Sequence, residues 1–199
     1  MNAKAHDRLT ETRDHILDVA LGHFQHFGVK KTAMADIASD VDMSTANLYR
    51  YFKNKEEIVV ACSQRCLNDR SNHLLTIVNN IEYSAARKLQ EYFLASLRYT
   101  YSQTGDNPRI TELVNVITSK HHHIVHEKNS VEQSMIKTIL EQGLQQQEFI
   151  IKNLNQTVQA IHASLHLFQF PVAMNIYELS ELEEKAEALS ALIIKGLKQ

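Results

Sequence analysis

Apolar residues return every three or four positions along most of the chain, and no stretch alternates residue by residue for the length of a strand. That spacing marks helices that bury one face. Five glycines and two prolines in 199 residues leave little material for hairpins. An all-α protein of about nine helices is therefore predicted. Ile16, Ala20, Phe24 and Phe27 form a stripe that predicts a first helix over 9–27, with Gly28 as its C-cap. Thr32 is placed to N-cap a short second helix through Asp40, turning Met34, Ile37 and Ala38 inward. Ser44 can cap a third, ending near Tyr51 or Phe52. Asn54, with Glu57 three residues on, opens a long fourth helix reaching Ile81. A fifth covers 84–103, and Gly105-Asp106-Asn107-Pro108 is the sharpest break in the chain.

Beyond that break the spacing predicts a helix over 109–126, with room for a kink. Ser130-Val131-Glu132-Gln133 fits a capping box and predicts another, ending near Gln147. A helix over 154–170 carries Val158, Ile161, Leu165 and Phe168, and Pro171 stops it. The last, over 181–198, opens with a Ser180 and Glu183 box and shows Leu182, Ala186, Leu189, Ile193 and Leu197 on one face. No internal repeat or low-complexity tract appears. The expected division is an N-terminal three-helix bundle with a helix-turn-helix (1–54) and a larger C-terminal helical domain (55–199).

Net charge is −2, so the whole chain announces no nucleic-acid partner. The segment 44–55 differs, carrying Arg50, Lys53 and Lys55 with no acid. The polar N-terminus suggests no secretory signal, and no run of apolar residues is long enough to cross a membrane, so no membrane partner is expected. Cys62 and Cys66 cannot build a disulfide framework, which points to a reducing, cytoplasmic setting.

The basic segment contains the second of two short helices joined by Val41-Asp42-Met43, the spacing of a helix-turn-helix. In that unit the second helix presents its first residues to base edges in the major groove. Ser44, Thr45 and Asn47 are short donors and acceptors at that end, and Ala46 lets the backbone approach closely. Tyr49, Arg50, Tyr51 and Lys53 reach toward the phosphates, while Leu48, Phe52 and Ile58 anchor the unit to a core. Lys55 stands in the first turn of a helix, where a cation is unfavourable unless a phosphate binds there. Spacing alone leaves open a generic helical hairpin with a solvated face.

The wider register resembles the TetR family of bacterial transcriptional repressors. It matches at Thr32, Ile37-Ala38, Ser44, Leu48-Tyr49, Tyr51-Phe52 and Lys55-Glu56, after a helix that ends in phenylalanines and Gly28. The likeness covers residues 10–60 and departs in two places. Val41-Asp42 stands where the family has a small residue and Gly, and Ala46 where it often has Gly or Pro. Aspartate tolerates the left-handed backbone better than most residues, so the turn is expected to persist with some strain. The resemblance implies a homodimer on a pseudo-palindromic double-stranded DNA operator, contacted from Thr32 and from 44–55. It also implies a small-molecule effector that releases the DNA. Separately, no Ser/His/Asp order, P-loop or dinucleotide fingerprint appears, so no enzymatic activity and no cofactor is expected. The family's last two helices form its dimer interface, here Ile161 and Leu165 with Leu182, Leu189 and Ile193, unless those stripes pack on their own core. Phe93, Leu97, Tyr101, Leu113, Ile117 and Phe168 are candidates for an effector pocket, or plain core.

Two sensing alternatives remain on residue type. His121, His122, His123 and His126 cluster, and His162 and His166 lie four apart, a spacing that can share a metal. No third ligand is fixed by spacing, so no metal is expected. Cys62 and Cys66, one turn apart, fit either a redox switch or two small buried hydrophobes.

Overall fold

The computed structural model describes residues 3–104, 109–170, 174 and 176–198, with side chains from Arg8 on. Ten helices and no strand occur among them: α1 (Ala3–Phe27), α2 (Met34–Asp40), α3 (Thr45–Leu48), α4 (Lys55–Val78), α5 (Ala85–Thr104), α6 (Ile110–Lys120), α7 (His122–Gln145), α8 (Leu154–Ser164), α9 (His166–Gln169) and α10 (Leu179–Leu197). The predicted breaks at 105–108 and Pro171 lie outside the described residues.

Two compact units result, Met1–Cys66 with Arg109–Ile124, and Leu67–Pro108 with Val125–Gln199. The boundary expected after residue 54 falls just before α4, whereas these units divide that helix.

In the first unit α1 packs on α2 and α6, and α2 on α3. Ile16, Ala20, Phe24, Ile37, Ala38, Leu48, Phe52 and Ile58 are buried. Phe27, expected on the same stripe, is half exposed beside the rings of His23 and His26, because the chain turns at once. Gly28 makes that turn at φ 86, its amide donating to Phe24 O at 3.0 Å. A Cβ there would meet the Glu112 carboxylate at 2.8 Å.

Several expected helix starts and stops move: α1 begins at Ala3 rather than residue 9, and α4 ends at Val78 rather than Ile81. The helix over 109–126 ends at Lys120, since His121 leaves helical geometry (φ −123, ψ 51), and α7 begins at once. Ser130 caps nothing: it lies inside α7, its Oγ donating to His126 O at 2.9 Å. The helix over 154–170 divides at Leu165, where Leu165 N bonds His162 O at 3.2 Å and Phe168 N bonds Leu165 O at 3.0 Å, the tighter pitch of a three-residue turn. α10 starts two residues early, with Glu178 N donating to the Glu181 carboxylate at 3.4 Å, while Glu183 pairs with Arg98 at 2.6 Å.

The second unit is organised around α5, which packs on α9 and α10. Its core includes Leu74, Leu89, Tyr92, Phe93, Leu97, Ile136, Ile139, Leu140, Leu182 and Ala186. α7 ends in a left-handed residue, Gln147 (φ 56), and the chain folds back so that Phe149 covers Gly143. A Cβ on Gly143 would lie 2.1 Å from the Phe149 ring.

Candidate nucleic-acid interface

The turn between α2 and α3 is closed by backbone bonds. Met43 N donates to Ala38 O at 2.9 Å and Asp42 N to Ser39 O at 3.2 Å, a Schellman pattern. Its left-handed position belongs to Asp42, at φ 52. The departure at Asp42 therefore keeps the usual turn geometry, with aspartate standing where glycine would carry less strain.

Ser44 then caps α3, its Oγ accepting from Asn47 N at 3.2 Å. Regular α-helix lasts only through Leu48, and Arg50 N and Tyr51 N continue with shorter-range bonds to Asn47 O and Leu48 O, each 3.0 Å. Leu48 and Phe52 are buried beneath, as expected. Ser44, Ala46, Tyr49, Arg50 and Lys53 are exposed, and Thr45, Asn47 and Tyr51 are partly so. The exposed and partly exposed side chains of this segment thus comprise hydroxyls, an amide, two phenols and two cations.

Two expected contact residues behave differently. Thr32 is buried, its Oγ1 donating to Gly28 O at 2.9 Å, and Ala33 occupies the N-cap of α2 instead. Asp36 closes that end, accepting from Ala33 N at 2.8 Å. The ammonium of Lys55 does not stand free over the start of α4. It donates to Val29 O and Thr32 O, each at 2.6 Å, so it satisfies carbonyls left as acceptors by the turn after α1. The start of α4 is capped as expected by Asn54, whose Oδ1 accepts from Glu57 N at 2.9 Å, while Glu57 reaches Lys53 N at 2.7 Å.

Three supports went unseen in the sequence. Arg13 on α1 lays its guanidinium 4.2 Å above the Phe52 ring and donates Nη1 to Tyr51 O at 2.7 Å. Glu56 accepts from Lys120 Nζ at 2.8 Å and from His121 Nε2 at 2.9 Å. Those two bonds, Lys120 first, hold the Glu56 carboxyl below the usual range. Glu112 accepts from Lys30 N at 3.1 Å. No sequence signal within α1 or α6 marks these residues, because each partner is tens of positions away.

The other candidates are placed elsewhere. Phe93, Leu97 and Phe168 are buried core of the second unit, Phe93 and Phe168 meeting edge to face, and Tyr101 packs against them partly exposed. Leu113 and Ile117 belong to the first unit. Ile161, Leu165 and Leu182 are buried within one chain, and Leu189 and Ile193 pack on the same core. The expected dimer stripe is therefore the inward face of α8 and α10, and their outward face carries other residues. The sensing alternatives find no support. Among the described residues no three His, Cys, Asp or Glu side chains assemble as a ligand set. Cys62 is buried, and burial pushes its thiol up to about 12, away from the reactive thiolate. No helix among the described residues is long and apolar enough to cross a membrane.

Comparison with known proteins agrees with this geometry. Residues 16–62 match the sequence family described as bacterial regulatory proteins, tetR family, and residues 85–190 match a tetracyclin repressor-like C-terminal domain. The chain is 38% identical over 58 residues to the HTH-type transcriptional regulator AcrR of Shigella flexneri, a match spanning 29% of this chain and 27% of that protein. It is 24% identical over 161 residues to the probable acrEF/envCD operon repressor of Escherichia coli K12, covering 76% of this chain and 70% of that protein. A crystal structure of a transcriptional regulator from Cytophaga hutchinsonii superposes with a TM-score of 0.73 at 21% identity, over 92% of this chain and 97% of that one.

Proposed function

The chain belongs to the TetR family of bacterial regulatory proteins and is a DNA-binding transcriptional regulator, and from that premise we propose a homodimeric repressor released from its operator by a small organic effector. The observation that carries this reading is the set of exposed polar and basic side chains on α3 and the turn after it. We assign Ser44, Thr45, Ala46 and Asn47 to base edges and Tyr49, Arg50, Tyr51 and Lys53 to phosphates, a division supported by their exposure. Repression is favoured by the likeness to the acrEF/envCD operon repressor.

A single short reading helix with few cations binds weakly, so two copies on adjacent half-sites are required. The dimer contact is assigned to the outward faces of α8 and α10. Ala160 and Ala163 on one, and Ala188, Leu192 and Gly196 on the other, are exposed and small enough, Leu192 apart, for close helix approach.

Footprinting on DNA flanking the protein's own coding region tests the proposal. A protected pseudo-palindrome whose affinity falls steeply with salt is expected. Protection that ignores salt, or no protected site, overturns it.

A further inference from the structure

α10 carries opposite charges at its two ends, Glu181 in the first turn and Lys195 in the last. That order suits the macrodipole of any helix, but it does not require the two to share a row. Glu181, Ala188 and Lys195 follow one another by a heptad, which falls only about 20° short of two full turns. All three are exposed, on the side of α10 away from the buried Leu182, Ala186 and Leu197. An alanine thus sits midway between an acid and a base on the outermost line of the helix. Lys195 pairs with no acid among the described residues. The Glu181 carboxylate reaches Lys185 only at 4.0 Å and Glu178 N at 3.4 Å. The outward side of α8 carries Asn155, Gln156, Gln159, Ala160 and Ala163, so any charge pattern on this surface comes from α10.

A two-fold axis across such a helix sets each residue against the one equally far beyond the axis on its copy. With Ala188 on the axis, Glu181 meets the partner's Lys195, and Lys195 meets the partner's Glu181. The small side chain at the centre lets the helices approach. Leu192, 67% exposed, then lies one turn from the axis between the partner's Ala188 and Glu184. Sliding the pair by one turn instead sets Lys185 against the partner's Lys195, and like charges directly opposed repel. A slide that pairs Glu184 with the partner's Lys195 brings Ala191 to the centre. Ala191, however, lines the cleft between α10 and α5 with Leu94 and Arg98, on the flank away from Leu192.

We propose that α10 pairs antiparallel with a second copy of itself, Ala188 on the two-fold axis and Glu181 ion-paired to the partner's Lys195 at both ends. This rests on the homodimer reading above and adds its register and its choice of partner. Exposed ion pairs contribute little affinity each, so these two set register and partner, while the apolar contact supplies the strength. A chain whose last helix carries one sign of charge along this row is rejected.

Sedimentation velocity on the full chain tests it, with far-ultraviolet spectra as the check on folding. Wild type should be a dimer at micromolar concentration. Glu181→Lys and Lys195→Glu each replace two attractive contacts by two repulsive ones and should weaken the dimer about tenfold or more at low salt. An equimolar mixture of the two variants should recover dimers close to wild-type strength, and so should the chain carrying both substitutions. These differences should fade in about 1 M salt. Oxidation of Ala188→Cys in a Cys66→Ser chain should give a covalent dimer. Leu192→Cys should not, because its copy lies too far along the helix for a disulfide. Reversals that leave the dimer unchanged, a mixture that recovers nothing, or recovery only when Glu184→Lys replaces Glu181→Lys overturns the register and leaves the homodimer reading intact. A cross-link through Leu192→Cys but not Ala188→Cys does the same. A monomeric wild-type chain removes the homodimer reading and this register with it.

Discussion

Lys55 and Thr32 are hydrogen-bonded to each other, the lysine Nζ lying 2.6 Å from the threonine carbonyl. Both were expected at the DNA, yet together with Val29 they close the turn between α1 and α2. Lys55→Met should therefore lower stability by about 1–2 kcal/mol, the cost of leaving carbonyls without a charged donor. The slope of log affinity against log salt should stay unchanged. Arg50→Ala and Lys53→Ala should instead flatten that slope by about 0.9 each with little change in thermal midpoint. Fluorescence anisotropy across a salt series, beside thermal unfolding, separates the two classes.

Arg13 touches both Phe52 and Tyr51, so it fixes the exit of the reading helix from α1. Arg13→Ala should weaken operator binding and lower stability by about 1 kcal/mol. Arg13→Lys should recover part of the stability but little of the affinity, because the planar stack is lost. A lysine variant indistinguishable from wild type in both measurements would refute this role.

Stability should respond to pH through Lys128. Its folded value, about 7, lies below the unfolded 10.5, so the unfolded chain binds more protons between those values and stability rises with pH there. The gain is at most about 1.4 kcal/mol per pH unit. Lys128→Met removes it, so the difference between wild type and variant should shift in favour of wild type as pH climbs from about 7 to 9. Urea unfolding at several pH values reads that difference directly.

Leu182 is 0% exposed in the core of one chain, whereas Leu192 on the same helix is 67% exposed. Leu182→Ala should cost about 2–5 kcal/mol of stability. Leu192→Glu should leave the helical spectrum intact and yield monomers by light scattering. A dimeric Leu192→Glu protein would rule out the outward face of α10 as the contact.

The all-helical class and the turn at Asp42 were legible because local rules govern both. Spacing sets the buried face, and the left-handed position accepts few residues. The role of Lys55 was not, since its carbonyl partners lie 23 and 26 residues earlier. Nothing near His121 marks a break, for neither Gly nor Pro stands there. Glu132 falls inside the Ser130 to Gln133 box and reads as a first-turn surface residue, and its distant partners, Arg70 62 positions away and His162 30 away, reveal its burial. The stripe through Ile161, Leu165 and Leu182 looks the same whether its own chain or a second copy covers it.

Gly143 and Phe149 bear on how this chain can evolve. The phenylalanine ring fills the volume that any side chain at 143 would need. A mutational scan should find position 143 closed to every single substitution in the wild-type background. Alanine there should become tolerable once Phe149 is reduced to a smaller residue. The two sites are thus expected to change as a pair, with a sign-dependent epistasis that neither position shows alone.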